Sequence, residues 1–241
     1  MTYKKPAAGD CSGFFVFILL INLSYHFKCA FNLKGYYMAL DLRQKLCRHQ
    51  ELKPVVDLAV RLHAGVKYGQ SDMLDHVLRV ADTVCMATDG DLRLTKAALV
   101  HKAFEGKRIN SGKAMTLDDV EDLVGEGPAL AAFELQNYDD KTDKSTRTEK
   151  VEGAKHLGRD AKVILMAEKI VNFRTSIDSP NPDKPFDWHV NYFQSRIDIA
   201  RAAKNAHAGL AGLLEKTYDE GMEALTRRVE RHMAKAAAPK A

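Results

Sequence analysis

A chain of 241 residues, 46% apolar and 28% charged, can bury a substantial core, and its composition is that of a globular domain. The surplus of 36 Lys and Arg over 32 Asp and Glu is only +4, too weak to argue for a nucleic-acid partner, and no basic run interleaved with aromatics argues for one either. A small positive surplus suits an anionic small molecule.

Cys11, Cys29, Cys47 and Cys85 form no C-x-x-C pair and no tight disulfide spacing, as expected of reduced thiols in a cytoplasmic protein. Residues 1–37 differ from the rest. Lys4 and Lys5 precede an apolar run, Phe14–Ile21, that is too short to span a bilayer. A basic start and such a run resemble a signal peptide, yet no small-x-small cleavage site follows. Three readings stay open: translation starting at Met38, an export signal, or a membrane-associated tail, with no firm membrane association implied. The domain is expected over residues 38–233, with 234–241 as a disordered Ala/Lys tail.

From Ala39 onward the apolar residues recur at helical spacing. Leu40, Leu42, Leu46 and Cys47 make a short amphipathic stretch. Pro54 fits the first turn of a helix carrying Val55, Leu58, Ala59, Leu62 and Val66. Asp72 is the expected cap of the next helix, with Met73, Val77, Val80, Ala81 and Val84 on its inner side. Asp89-Gly90-Asp91 is a turn, and a helix is predicted over Leu92–Glu105. Thr116-Leu-Asp-Asp119 caps another helix. Gly125–Pro128 breaks that helix and starts one over Ala129–Tyr138. Asp139–Lys155 is strongly charged and reads as a loop leading into a helix. Ala161–Ile177 is the strongest core helix, with Met166 and Phe173 inside. Ser179–Pro185 is too proline-rich to be helical. Helices over Asp187–Ala208 and Ala211–Met233 close the chain. Neither sustained alternation nor an internal repeat is present, so the expected fold is a single all-α domain of about ten helices.

Chemistry concentrates in Ala97-Ala-Leu-Val-His101-Lys102-Ala-Phe-Glu105-Gly106, flanked in sequence by His76 and Glu168 on other helices. Histidines and carboxylates on separate helices are how a metal site is assembled from scattered ligands. In order and spacing, several stretches resemble the HD-domain phosphohydrolases, specifically the (p)ppGpp hydrolase branch of SpoT-type domains and small stand-alone relatives. They are Leu58–His63 with Tyr68-Gly-Gln70, Leu74-Asp-His76-Val-Leu-Arg-Val-Ala81, Ala97–Gly106, Asp139-Asp-Lys-Thr142 and Met166-Ala-Glu168-Lys169-Ile-Val-Asn172-Phe-Arg174. Trp188 and Tyr192-Phe193 are similar to an aromatic helix that closes the family's site. The resemblance covers about Leu58 to Tyr218.

The resemblance implies metal-assisted hydrolysis releasing pyrophosphate from the 3′ position of a guanosine polyphosphate, with Mn2+ as the usual cofactor and a phosphorylated nucleotide as partner. By position, His76, His101, residue 102 and Glu168 would hold the metal. Glu105 and residue 106 would assist the attacking water. Arg61, Lys169, Asn172 and Tyr192 would face the nucleotide. Three positions depart from the family pattern: Lys102 and Gly106 stand where it has Asp, and Glu168 is one methylene longer than its Asp. A divalent ion and an ammonium 4 Å apart repel by roughly 8 kcal/mol at an effective dielectric near 20. Micromolar metal affinity is worth about the same. Either Lys102 swings away and leaves a weak three-ligand site, or its ammonium replaces the metal and pairs with Glu168; the second is favoured. In the first case the chain is a hydrolase, perhaps altered in metal or substrate. In the second it is a pseudoenzyme, a nucleotide-binding or regulatory module. His63 reads as structural or substrate-facing rather than as a ligand, and Arg147 as solvated surface. Nothing in the sequence fixes an oligomeric state.

Overall fold

The computed structural model describes residues 33–68, 71–105, 114–142, 144–179 and 184–237. The chain divides into two units, Met1–Leu33 and Lys34–Ala241. Residues 1–32 lie outside the described residues, as do Gly106, Gln70 and most of the proline-rich stretch, and so do the expectations placed on them.

Among the described residues the second unit is all-α: α1 Leu33–Leu46, α2 Lys53–His63, α3 Met73–Ala87, α4 Leu92–Val100, α5 Leu117–Val124, α6 Glu126–Thr142, α7 Arg147–Lys155, α8 Arg159–Asp178, α9 Phe186–Ala202 and α10 Ala208–Ala237. A 3-10 turn, Lys204–Ala206, joins the last two helices. The one departure from helix is a hairpin of two two-residue strands, β1 Lys67–Tyr68 and β2 Ser71–Asp72, antiparallel with Tyr68 opposite Ser71. Strands this short leave no alternation to read. No helix among the described residues is long and apolar enough to cross a membrane.

The bundle is built around α8. Every residue from Val163 to Phe173 is buried, so this helix has no solvent face over three turns. It packs against α3, α4, α6, α9 and α10. Any polar residue in that span is therefore carried into the interior, which is how Glu168, Lys169 and Asn172 come to be buried. α3 brings Val80, Ala81 and Val84, and α4 brings Ala97, Ala98 and Val100, into the core that α8 centres.

Several boundaries differ from the sequence expectation. Asp72 precedes α3, but its carboxylate accepts from Lys67 Nζ at 2.6 Å and makes no cap hydrogen bond. The cap missed in the sequence is Asp91, whose side chain accepts from Leu94 N at 3.0 Å. Asp139 belongs to α6, which continues to Thr142. The charged stretch after it is mostly α7, started by a reciprocal capping box between Thr146 and Glu149. α9 ends earlier than expected, at Ala202, and α10 runs on to Ala237. Most consequential, the helix expected over Leu92–Glu105 ends at Val100.

Candidate functional site

The early end of α4 shapes the site. Beyond Val100 the backbone tightens into three-residue turns, with Ala103 N donating to Val100 O at 2.9 Å and Glu105 N to Lys102 O at 3.3 Å. The His101 ring reaches back, and its Nδ1–H donates to Ala98 O at 2.6 Å. A carbonyl can only accept, so the proton sits on Nδ1 and Nε2 keeps its lone pair. The His76 ring, from α3, lies 5.6 Å away between centroids and packs on Tyr68 at 4.4 Å. Both Nε2 atoms are buried with no hydrogen-bond partner among the described residues.

Lys102 turns inward at the same place. It is 2% exposed, and its ammonium lies 2.9 Å from Glu105 Oε1, 3.1 Å from Asp139 Oδ2 and 3.6 Å from Glu168 Oε1. The pairing with Glu168 expected from the sequence is thus the longest of three. Glu168 is held more closely by Lys169, 3.1 Å from its other oxygen. Asn172 follows one turn later on α8, also buried. From α9, Arg196 lies over the Tyr192 ring at 4.9 Å, within reach of the fields of Glu168 and Tyr68. Trp188 stacks on Tyr192 at 5.2 Å, and Lys184 lies 5.6 Å from the Trp188 ring.

Burial and charge act together on these groups. Burial, then the Lys102 ammonium, push His101 down to about 3, and burial and His101 hold His76 well below its ordinary value. Both imidazoles are neutral at physiological pH and are weak bases. Burial alone would discharge Lys102, but Glu168, Asp139 and Glu105 outweigh it and hold the lysine well above its usual range. Burial would likewise protonate Glu168, and Lys102 with Lys169 keep it ionised.

Of the residues singled out in the sequence, the fold gathers His76, His101, Lys102, Glu105, Glu168 and Lys169 in the interior, with Arg196 and Tyr192 near them, and Asn172 is buried one turn beyond Glu168. Arg61 is exposed on the last turn of α2. Arg147 is exposed and pairs with Asp198. His63 is fully buried. Sequence reasoning did not assign Asp139 a partner, although it sits in a motif already noted. Tyr192 and Arg196, whose four-residue spacing in the sequence lets them share a helix face, do meet in the structure.

The all-α bundle brings two histidines and carboxylates from separate elements together. The fold is similar to that of a solved metazoan ortholog of SpoT, a protein that hydrolyses ppGpp and plays a role in starvation responses. The two chains are 21% identical, with a TM-score of 0.58 over 70% of this chain and 94% of that one. No protein-family model and no curated protein matches the sequence. The likeness is one of fold.

The sequence resemblance implies a divalent metal, and the donor set decides whether this chain suits one. The two Nε2 lone pairs do. The rest does not: both Glu168 oxygens face ammonium groups, and the anionic ligand position is a lysine. Among the described residues, no group of three or more His, Cys, Asp or Glu could hold a metal ion. The residues present do not fit a divalent ion.

Proposed function

We propose that the polar end of this bundle binds a phosphorylated guanosine nucleotide of the ppGpp type, and that the chain acts by holding it rather than by turning it over. One observation carries this: the file of Lys184, Trp188, Tyr192 and Arg196, four residues apart, leading from an exposed indole to a guanidinium beside the charge cluster. Trp188 is 40% exposed, and a base could stack on it in the place over the ring that the Lys184 ammonium now holds. Arg196 Nε is buried with no hydrogen-bond partner among the described residues and suits a phosphate oxygen. The similarity of fold to a ppGpp-hydrolysing protein supports the choice of nucleotide. The manganese implied by the sequence resemblance has no part in this reading; a cytoplasmic setting, expected from the thiols, goes with it.

Calorimetry in EDTA with ppGpp, GDP and NADPH tests the proposal. At least one is expected to bind, most tightly ppGpp, with Trp188→Ala weakening it by the ~1–3 kcal/mol of a lost stacking contact. No heat and no thermal shift with any of the three would leave a helical scaffold without a ligand. A second reading, slow hydrolysis of the same nucleotide, is favoured by the unpartnered Nε2 atoms of His76 and His101 and by half-buried Glu105. Pyrophosphate release at saturating ppGpp separates the two.

A further inference from the structure

We infer that the Lys102 ammonium is the resident cation of this site and takes the place that a divalent ion holds in a metal-dependent version of the same bundle. Charge balance around this ammonium supports it, independently of any nucleotide.

Three cations, Lys102, Lys169 and Arg196, share the buried cluster with three carboxylates, Glu105, Asp139 and Glu168. The two histidines add no charge to this count: both Nε2 atoms are buried with no hydrogen-bond partner among the described residues, where a protonated ring would leave a charged N–H unpaired. Among the described residues the cluster is therefore neutral, and adding a divalent ion would leave two uncompensated positive charges out of water. Exchanging Lys102 for an aspartate removes one positive charge and adds one negative. The same cluster then carries two surplus negative charges, which one divalent ion neutralises. The two states differ by a single side chain.

Geometry agrees with the count. The ammonium has three hydrogens and three carboxylate partners at 2.9, 3.1 and 3.6 Å, from the turn after α4, from α6 and from α8. It joins carboxylates from separate elements, as a bound cation would, while its compact shape keeps that radius small. The two Nε2 atoms nearby take no part: neither has a hydrogen-bond partner among the described residues. They are what a metal would use if the lysine were gone.

Equilibrium dialysis against manganese chloride, read by elemental analysis, tests the inference without any activity measurement. The wild type is expected to retain well under one manganese per chain, and EDTA is expected to leave its melting temperature unchanged. Lys102→Asp should raise manganese affinity by ~100-fold or more, since repulsion is replaced by attraction, and its melting temperature should rise with added manganese. Wild-type protein that binds one manganese per chain at micromolar concentration overturns the inference. So does a folded Lys102→Asp variant that binds no more manganese than the wild type. Where that variant folds only in the presence of manganese, the inference stands; where it does not fold at all, the wild-type dialysis decides.

Discussion

A lysine that is 2% exposed and faces three carboxylates cannot be shortened without leaving charge behind. Lys102→Met keeps the length and the apolar stem but strands Glu105, Asp139 and Glu168 together. The expected cost is about 3–5 kcal/mol, the range for breaking a buried ion pair from one side, read as a lower urea midpoint. Adding Glu168→Gln to that variant should recover part of the loss, because it removes one of the stranded charges. His101 sets a pH dependence. Its folded value of about 3 lies below the ordinary 6.5, so between those limits the unfolded chain binds a proton that the native chain does not. Stability must then fall as pH drops from about 6.5 toward 3, by roughly 5 kcal/mol at the limit. Glu168, depressed, adds to the loss only below the ordinary carboxylate range near 4.5. His101→Asn retains an N–H for Ala98 O and removes the proton site. Urea titrations from pH 7 to pH 4 should show a shallower decline for it, with the remaining slope due in part to His76.

Helices are where the sequence was most and least informative. α8 was legible because its apolar residues lie all round the helix, and so was α5, with Thr116 and Asp119 in a reciprocal capping box. α7 was hidden: its nine residues are mostly polar, and only the Thr146–Glu149 box marks its start. Thr146→Ala should cost about 1 kcal/mol, visible in thermal melts. The end of α4 was equally hidden, since Ala-Ala-Leu-Val-His-Lys-Ala-Phe-Glu contains no glycine, proline or N-capping residue to stop a helix. What stops it is tertiary: Lys102 is drawn to Asp139 and Glu168, which one-dimensional periodicity cannot contain. The site residues were therefore readable by identity and spacing, while their partners were not. α10 has its own special position. A Cβ at Gly221 would overlap the Phe193 ring, which is stacked on Phe173 at 4.9 Å. Gly221→Ala gains about 1 kcal/mol of helix propensity, yet the overpacking is expected to cost about 1–3 kcal/mol. A lower melting temperature is the predicted sign.

At the scale of the whole domain, a ligand that binds only the folded chain adds its binding energy to stability. A nucleotide held at a hundred times its Kd contributes about 2.7 kcal/mol. For a domain of this size that corresponds to a rise of about 5–10 °C in melting temperature. Differential scanning calorimetry with ppGpp in EDTA should show such a shift for the wild type and a smaller one for Arg196→Ala. The result also bears on how the bundle closes, because the ligand would tie α9 to α8, two helices already packed against one another.

Trp188 is the only tryptophan in the chain, and it stands 40% exposed between Lys184 and Tyr192, edge-on to the His189 ring at 5.2 Å. The protein therefore carries a built-in optical probe on one face of α9. Indole emission reports on solvent and on stacked neighbours, so the native protein should emit with the red-shifted spectrum of a wetted indole. A purine laid on that face should quench it. Titrating ppGpp into the wild type should lower the emission and saturate at the calorimetric Kd, whereas inorganic phosphate should leave it unchanged. Emission that stays flat while calorimetry records nucleotide binding would move the base away from α9.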